Sequence, residues 1–430
     1  MTTPSHRAVS PDGEPASPTA AGPLTGIRVL DLTSVVLGPV ATQILGDHGA
    51  DIIKIEATTG DMMRANGAAR NLGMSSIFLA INRNKRSLAV DLKTDEGRRI
   101  ALEIAASVDI VIHNMRVPAM ERLGLGYEAV KAVNPEVIYC AATGFGQDGP
   151  DRNKPAFDDI IQAACGLVGL VGAASGRPEY TPSLVADKLA GVAVSGAVLA
   201  ALVHKARTGE GQYVEVPMYE TLVEFVLAEH MGGMAFEPPA GPAGYARILS
   251  GGRRPSRTAD GYVAMLPYSP KHWADLFAHL GHAAVLEECD IGDRFKVNSA
   301  VRMLYDRLNE ITPARTTDEW LSICEELDIP ATRIYNIEDL PDHPHLKAVG
   351  MFETMDHPSE GKTRFVRPAA RFERTPMSVR LPAPSLGQHS RAVLDDLGYS
   401  AEVIEKLARD SVIYLGDKPP HAGEEQQDNL

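Results

Sequence analysis

The feature that most constrains the fold is a strand–helix–strand pattern near the start of the chain. Residues 27–32 form an apolar run that predicts a strand, and Gly38 and Pro39 follow it as a break. Residues 40–45 have helical spacing, and residues 51–56 predict a second strand. Two strands joined by a helix in this way pair in parallel, so the pattern predicts an α/β sheet.

The glycines of this unit argue against a nicotinamide-dinucleotide site. A dinucleotide fingerprint has G-x-G-x-x-G after the first strand and an acidic residue further along that binds a ribose. Glu56 fits the second requirement, but only Gly38 stands in the turn after the first strand. We therefore interpret the unit as α/β without this fingerprint.

Strand-like and helical runs continue to alternate, which predicts a parallel sheet covered by helices. The runs are 87–92, 94–106, 110–113, 117–123 and 137–142. After Val216 the pattern changes to a long apolar helix (219–230) and a stretch rich in glycine and proline. A strand within 258–268 and helices at 272–280 and 297–311 then predict a smaller domain of mixed strands and helices.

A chain of 430 residues exceeds what one core usually supports, so two domains are expected. Both ends are polar, rich in proline and aperiodic, which predicts disorder. The predicted segments are a disordered arm (1–21), the N-terminal part of the large domain (22–220), a linker (221–244), the small domain (245–335), a linker that returns the chain to the large domain (336–417) and a disordered tail (418–430).

Composition limits the classes of partner. The net charge of −14 argues against a general nucleic-acid binder, which needs a basic surface. Cys140, Cys165, Cys289 and Cys324 lack C-x-x-C spacing, which predicts buried free thiols and no metal site. The apolar run 192–203 is too short to cross a bilayer and no signal peptide is recognisable, so we expect a cytoplasmic protein without a membrane partner.

Asp187 precedes a long series of small apolar residues that includes Gly191, Gly196 and Ala200. Small side chains at helical spacing let another backbone or a ligand come close, and a helix N-terminus favours an anion. Asp is also a preferred helix N-cap. From this segment alone, Asp187 is either a helix cap or a nucleophile.

Four segments in order resemble the family III CoA-transferases, which include formyl-CoA:oxalate and carnitine CoA-transferases and the related α-methylacyl-CoA racemases. They are LDLTSVVLGPVATQILGDHGADIIKIE, NRNKRSLAVDLKTDEGRR, VDIVIHNMRVPAMERLGLGYEAVKAVNPEVIYCAATGFGQDGP, and PAFDDIIQAACGL with the Asp187 segment. The similarity extends from about residue 24 to 415. It implies an α/β fold with a Rossmann-like large domain, a smaller α+β domain and an interlocked homodimer.

The resemblance also implies a chemistry. CoA would move from an acyl-CoA donor to a carboxylic acid through an aspartyl anhydride and an aspartyl-CoA thioester at Asp187, with CoA as a substrate and no metal or other cofactor. Matching the family pattern position by position implies CoA contacts at Val36, Leu37, Val90, Asp91, Leu92, Lys93, Asn114, Met115, Arg116, Arg122, Thr143, Gly144 and Phe145.

Two glycine segments are candidates for meeting the negative charge that develops on the attacked carbonyl oxygen. They are Gly144 with Gly146, and Gly251 with Gly252; ordinary turn formation is the alternative for both. Arg254 lies in a cluster with Arg247, Arg253 and Arg257. Guanidinium groups there would clamp a second carboxylate, which suggests a dicarboxylic substrate; a surface or CoA role stays open.

One substitution separates two branches of the family. The racemases have a Gly-His-Asp run whose histidine is a base, and this chain has Ala156, Phe157 and Asp158 there. Without that imidazole, proton exchange lacks one partner unless His113, His204 or His230 folds in, so the sequence favours transfer. A racemase or epimerase and an inactive CoA-binding protein are the alternatives. Val36 stands where the formyl-CoA enzyme has glutamine, which argues against oxalate.

Overall fold

The structure is a computed structural model that describes residues 22–249, 253–288 and 294–416. The predicted terminal arms, Gly251, Gly252 and Cys289 lie outside these residues. The strands are β1 (Arg28–Leu32), β2 (Asp51–Glu56), β3 (Lys85–Val90), β4 (Ile110–His113), β5 (Ile138–Thr143), β6 (Tyr213–Pro217), β7 (Ser256–Arg257), β8 (Tyr262–Met265), β9 (Ala331–Arg333), β10 (Phe352–His357), β11 (Gly361–Val366) and β12 (Ile413–Tyr414).

The helices are α1 (Leu37–Asp47), α2 (Ser76–Ile81), α3 (Asp95–Ala105), α4 (Val117–Arg122), α5 (Tyr127–Val133), α6 (Asp158–Ala164), α7 (Leu167–Ser175), α8 (Val185–Thr208), α9 (Met218–His230), α10 (Ala246–Leu249), α11 (Pro270–His279), α12 (Val285–Glu288), α13 (Arg294–Ile311), α14 (Thr317–Glu326), α15 (Pro344–Ala348), α16 (Ser390–Asp396) and α17 (Ala401–Arg409).

A seven-stranded sheet organises the first part of the chain, in the order β12-β3-β2-β1-β4-β5-β6. Strands β1 to β6 are parallel, and β12 is antiparallel to β3. The predicted parallel sheet with helices is therefore confirmed. Because β2 and β3 extend the sheet on one side of β1, and β4 to β6 on the other, the direction of strand addition reverses between β1 and β4.

The central strands are buried along almost their whole length, as expected for a parallel sheet with both faces covered. Their side chains form one core with those of α3, α16 and α17, in which Leu30, Ile53, Leu88, Val111 and Tyr139 are at most 1% exposed. This core fixes the strand ends from which the candidate site is built.

Helix α8 packs closely on α1, so of the two partners that its small residues allow, a backbone or a ligand, the structure shows a backbone at Gly191. A Cβ atom at Gly191 would lie 2.7 Å from the main-chain oxygen of Leu37, so only glycine allows this approach. Gly196, five residues further along and so on a different face of the helix, faces open space. The close contact therefore sets the start of α8 beside the start of α1.

Two compact units divide the chain. The first comprises the described residues up to Ile161, Ser183–Leu222 and those from Gly350 onward; the second comprises Gln162–Pro182 and Val223–Val349. In the second, β7, β8 and β9 form an antiparallel sheet, and Trp273, Phe277 and Trp320 are fully buried in its core. The predicted segment boundaries and linkers, which divide the chain at other residues, stay predictions.

Two smaller predictions concern apolar and thiol groups. Cys140, Cys165 and Cys324 are buried free thiols, as predicted. Helix α8 extends well beyond the run 192–203, and by length and composition alone it is long and apolar enough to cross a membrane. It packs on α1 and beside β5 and β6. The absence of a membrane partner stays a prediction.

Candidate active site

A cavity of about 240 Å³ opens in the first unit, at the carboxyl ends of β1, β4 and β5. This is the position where the strand order reverses, and ligands of open α/β sheets bind at such a point. The lining residues are Ser34, Val35, Leu37, Asn114, Met115, Arg116, Ala142, Thr143, Gly144, Gln147, Arg152, Lys154, Pro155, Ala156, Phe157, Asp187 and Met218.

Several residues that the sequence singled out meet in this cavity. They are Leu37, Asn114, Met115, Arg116, Thr143, Gly144 and Asp187. The other implied CoA contacts of the first unit do not line it: Val36 and Phe145 are buried, Val90 to Lys93 end β3 and follow it, and Arg122 is exposed at the end of α4. Arg254 belongs to the second unit. The structure thus gathers about half of the predicted residues around one space.

Asp187 is the third residue of α8, and Leu184 is the N-cap. The alternative in which Asp187 caps the helix is therefore wrong. Its side chain points into a largely buried position, with 8% of the residue exposed. Among the residues that the structure describes, the Asp187 carboxylate accepts no hydrogen bond and forms no ion pair. Burial, with the nearby negative charge of Asp158, raises the pKa of Asp187 to about 7.

Asp158 fixes the start of α8. Its Oδ2 atom accepts a hydrogen bond from the Asp187 main-chain N–H at 2.9 Å, and the residue is buried at the first position of α6. A carboxylate at a helix N-terminus is stabilised by the unsatisfied N–H groups there. Asp158 therefore does the capping that the sequence offered as a role for Asp187.

The part of the cavity wall that follows β1 contains a strained turn. Val35 has a φ of +70°, which is unusual for any side chain and most unusual for a β-branched one. Such a conformation costs about 1–3 kcal/mol and persists only where surrounding contacts impose it. No local sequence signal predicts this conformation, and the implied contacts were the next two residues, Val36 and Leu37. Strain of this kind at a cavity wall points to a functional site.

A buried hydroxyl faces the same region. The Oγ1 atom of Thr143 has no hydrogen-bond partner among the described residues, although the residue is only 5% exposed. Buried polar side-chain atoms almost always have a partner, so an exception on a cavity wall suits a ligand atom. This supports the implied contact at Thr143.

Positive charge collects at the cavity although the whole chain is acidic. Arg116, Arg152 and Lys154 line it, and Lys154 pairs with Asp151 at 2.8 Å. Within the described part of the chain, the guanidinium groups of Arg116 and Arg152 form no ion pair. They are available to an anionic ligand. Sequence reasoning missed Arg152 and Lys154; two cations directly after the Gly144 turn were the available signal.

The two glycines of that turn have different surroundings. Gly144 lines the cavity, and a Cβ atom there would lie 2.4 Å from Cβ of Ala156. The Gly146 N–H donates to Oε1 of Glu220 at 2.9 Å, so it is already engaged. Gly144 is the better candidate for contact with a reacting carbonyl.

None of the described residues lining the cavity is a histidine. Phe157, in the position of the racemase base, is part of the lining. His113 is buried with its Nδ1 atom 3.0 Å from the Met115 main-chain oxygen, and burial lowers its pKa to about 4. His204 lies near the far end of α8, and His230 belongs to the second unit.

Known proteins match this chain over most of its length. A family model described as CoA-transferase family III matches residues 24–390. The succinyl-CoA:glutarate CoA-transferase of Mus musculus is 32% identical over 91% of this chain and 90% of its own length. The succinyl-CoA:mesaconate CoA-transferase of Haloarcula marismortui is 31% identical over 88% of this chain and 97% of its own.

A solved structure of a related protein has a similar fold. The crystal structure of a CaiB/BaiF family protein from Brucella suis is 28% identical, with a TM-score of 0.75 over 88% of this chain and 100% of that one. The α/β architecture with its large parallel sheet is therefore shared. The family match covers most of the chain, and this protein belongs to the family III CoA-transferases.

Proposed function

We propose that this protein moves CoA from an acyl-CoA donor to a carboxylic acid by way of covalent intermediates on Asp187. The observation that carries the proposal is the state of that carboxylate: it is buried, lines the cavity and has no hydrogen-bond or ionic partner among the described residues. Buried carboxylates usually have such partners, and an unpartnered one in a cleft is a candidate for chemistry.

In the first half-reaction, a carboxylate oxygen of Asp187 attacks the thioester carbonyl. The C–S bond breaks, the CoA thiolate leaves, and a mixed anhydride remains. The thiolate then attacks the aspartyl carbonyl, and the C–O bond to the first acid breaks. The first acid leaves as a carboxylate, and Asp187 carries CoA as a thioester.

The second half-reaction repeats these steps in reverse with the acceptor. Its carboxylate displaces CoA from the aspartyl thioester, forming a new anhydride, and the thiolate then attacks the acceptor's carbonyl. Asp187 returns as a free carboxylate, so no proton is gained or lost overall. The N-terminus of α8 beside Asp187 and the Gly144 turn would stabilise the developing negative charge.

A dicarboxylic acceptor, with succinyl-CoA as the donor, is the substrate pair that we propose. The relatives named for succinyl-CoA and glutarate or mesaconate support it. Arg116 and Arg152 at the cavity support it as well, because a guanidinium group can bind the second carboxylate. In the second unit, Arg247 is buried against the ring of Tyr268 at 4.3 Å, and a clamp by the cluster around Arg254 stays a prediction.

The proposal also includes a Rossmann-like large domain, an interlocked homodimer and a cytoplasmic location. A Rossmann-like large domain is supported by the strand order of the seven-stranded sheet. The interlocked homodimer rests on the family resemblance, and the cytoplasmic location on composition. That the reaction needs no metal or further cofactor follows from the proposed chemistry.

Mass spectrometry tests the proposal directly. Incubation with succinyl-CoA should add CoA to the peptide that contains Asp187, and addition of glutarate should release glutaryl-CoA. Asp187→Ala should give neither product. Asp159→Ala, which removes an exposed carboxylate of α6, should give both. Glutaryl-CoA formed by the Asp187→Ala protein would contradict the proposed route.

A further inference from the structure

The cavity wall between β1 and α1 is held residue by residue from neighbouring strands. Thr33 donates its main-chain N–H to Oδ1 of Asp31 at 2.9 Å. The side-chain amide of Asn114, after β4, bonds both the N–H and the C=O of Ser34, at 2.9 and 2.7 Å. The N–H of Val35 donates to Oδ1 of Asp61 at 3.2 Å. Each residue of the Thr33–Val35 turn thus has at least one main-chain hydrogen bond to a side chain, and these bonds fix its conformation.

Val35 has the strained backbone conformation in this turn. Its φ of +70° is disfavoured for a β-branched side chain, so its conformation depends on its contacts. Asp61 supplies the hydrogen bond to its main chain, and the same Oδ1 atom accepts from Met63 N–H at 3.0 Å. The Asp61 side chain can keep Oδ1 directed at the Val35 N–H only if a partner also holds its other oxygen, Oδ2.

Lys54 holds that second oxygen. Its ammonium group lies 3.2 Å from Oδ2 of Asp61 and donates to the main-chain oxygen of Thr33 at 2.7 Å. The side chains of Lys54 and Asp61 are 0% and 1% exposed, so water does not replace either contact. One buried cation thus connects both ends of the turn, at Thr33 directly and at Val35 through Asp61.

A second buried pair supports the first. Lys85 lies 3.2 Å from Oδ2 of Asp31, with both side chains 0% exposed. We call Asp31, Lys54, Asp61 and Lys85 the turn network. Burial alone would lower the pKa of Lys54, but the carboxylates of Asp31, Asp61 and Glu56 raise it above its usual value, so Lys54 is charged.

Buried ion pairs contribute little net stability compared with apolar packing, because both charges lose their hydration. Fixing one local geometry is their better-attested use. Here the geometry that they fix is the wall of the cavity that contains Asp187. We propose that Asp61 and Lys54 are positioning residues, which hold the Thr33–Val35 turn in its strained conformation so that the cavity can bind the CoA moiety.

This inference rests on the proposed function for the identity of the ligand. It concerns neither the nucleophile nor the groups that touch the reacting atoms. Affinity for CoA depends on the carboxylate of Asp61 and the ammonium group of Lys54, which are buried behind the cavity wall.

Asp61→Asn is the main test variant. An amide has one oxygen, so either Lys54 or the Val35 N–H must then face an NH₂ group. Asp47→Asn is the matched control: Asp47 is a similarly buried carboxylate of the same unit, paired with Arg83 at 2.7 Å, and does not line the cavity. Both variants lose one acceptor in a buried ion pair.

Calorimetric titration with CoA measures the affinity of each protein. We expect Asp61→Asn and Lys54→Met to weaken CoA binding about tenfold, and Asp47→Asn less than about twofold, when the folded fraction is matched. Hydrogen exchange at peptides covering 33–37 should accelerate in Asp61→Asn and stay unchanged in Asp47→Asn.

Val35→Gly provides a rescue experiment. Glycine adopts positive φ without strain, so the turn should depend less on Asp61. The double variant Val35→Gly with Asp61→Asn should recover part of the lost affinity relative to Asp61→Asn alone. A merely structural role for Asp61 predicts no recovery.

The outcomes separate this inference from the proposed function. A wild-type protein that does not bind CoA would overturn the proposed function. Equal CoA affinity and equal exchange in Asp61→Asn and Asp47→Asn, with wild-type binding intact, would overturn the inference and leave the proposed function standing.

Discussion

Asp31 and Asp187 are buried carboxylates near the carboxyl ends of strands of the same sheet, but their pKa values are shifted in opposite directions. Asp31 is fully buried, yet Lys85 and Lys54 overcome the effect of burial and hold its pKa below the usual range. Asp187 is almost as buried, but it has no cation among the described residues, and its pKa is raised to about 7. Both carboxylates lose hydration on burial, and only at Asp31 do neighbouring cations compensate for that loss.

Under the proposed function, the two carboxylates differ in role: the burial of Asp31 fixes geometry and the burial of Asp187 serves reactivity. A compensated charge fixes geometry, and the turn network does this for the cavity wall. An uncompensated buried charge lowers stability, and groups with such raised or lowered pKa values cluster at functional sites. Removing each type of carboxylate should therefore have opposite consequences for folding and for catalysis.

The largest expected effect is the loss of turnover in Asp187→Ala. Because the proposed intermediates form on this carboxylate, kcat should fall at least about a thousandfold, as for removal of other nucleophiles. Steady-state formation of glutaryl-CoA from succinyl-CoA measures it, and calorimetry should show that CoA still binds. Near wild-type turnover would remove Asp187 from the mechanism.

The second prediction compares stability, by chemical denaturation. Asp31→Asn should lower the free energy of unfolding by about 3–5 kcal/mol, because Lys85 and Lys54 lose their compensating charge. Asp187→Asn should raise it at pH 8, on the order of 2 kcal/mol.

The pH dependence of the second effect has a definite sign. The folded-state pKa of Asp187 lies above its ordinary value of 3.8, so the folded protein holds a proton that the unfolded chain releases. The contribution of Asp187 to the stability of the wild type therefore falls as pH rises from about 4 to about 7. The advantage of Asp187→Asn should shrink as pH is lowered from 8 to 4. A constant difference between the two proteins would contradict this account.

Much of this architecture could be predicted from the sequence, because the signals are local. Residues 51–56 and 110–113 match β2 and β4 residue for residue, and the small residues after Asp187 predicted the close approach of another backbone or a ligand. Apolar runs and helical spacing report on neighbours within a few positions.

The turn network could not be predicted, because its contacts are distant in sequence. Lys54 and Lys85 stand in strands where charged residues usually face solvent, yet both are fully buried. Ser34 meets Asn114 across 80 positions, and nothing local shows that Val35 has a positive φ. Such features follow from the packing of strands side by side.

Arg152 tests whether the cavity itself recognises a second carboxylate. Arg152→Ala should raise KM for glutarate about five- to tenfold, with little change for a monocarboxylic acceptor of similar length. Arg254→Ala is the comparison variant from the second unit, and it tests the alternative clamp. A larger effect of Arg254→Ala than of Arg152→Ala would assign the acceptor's free carboxylate to the small domain.

The smallest expected effect concerns the charge next to Asp187. In the proposed mechanism the ionised carboxylate of Asp187 is the nucleophile, so kcat/KM should rise with pH through about 7 and level off above it. Asp158→Asn removes the negative charge that helps to raise the Asp187 pKa, while its amide oxygen can still accept the Asp187 N–H. The rise should therefore move to lower pH, with a similar plateau.

Asp159→Asn, at the exposed neighbouring position of α6, is the control and should leave the profile in place. A shift to higher pH in Asp158→Asn would mean that Asp158 stabilises the ionised form of Asp187, and the contrast with the compensated carboxylates would then disappear.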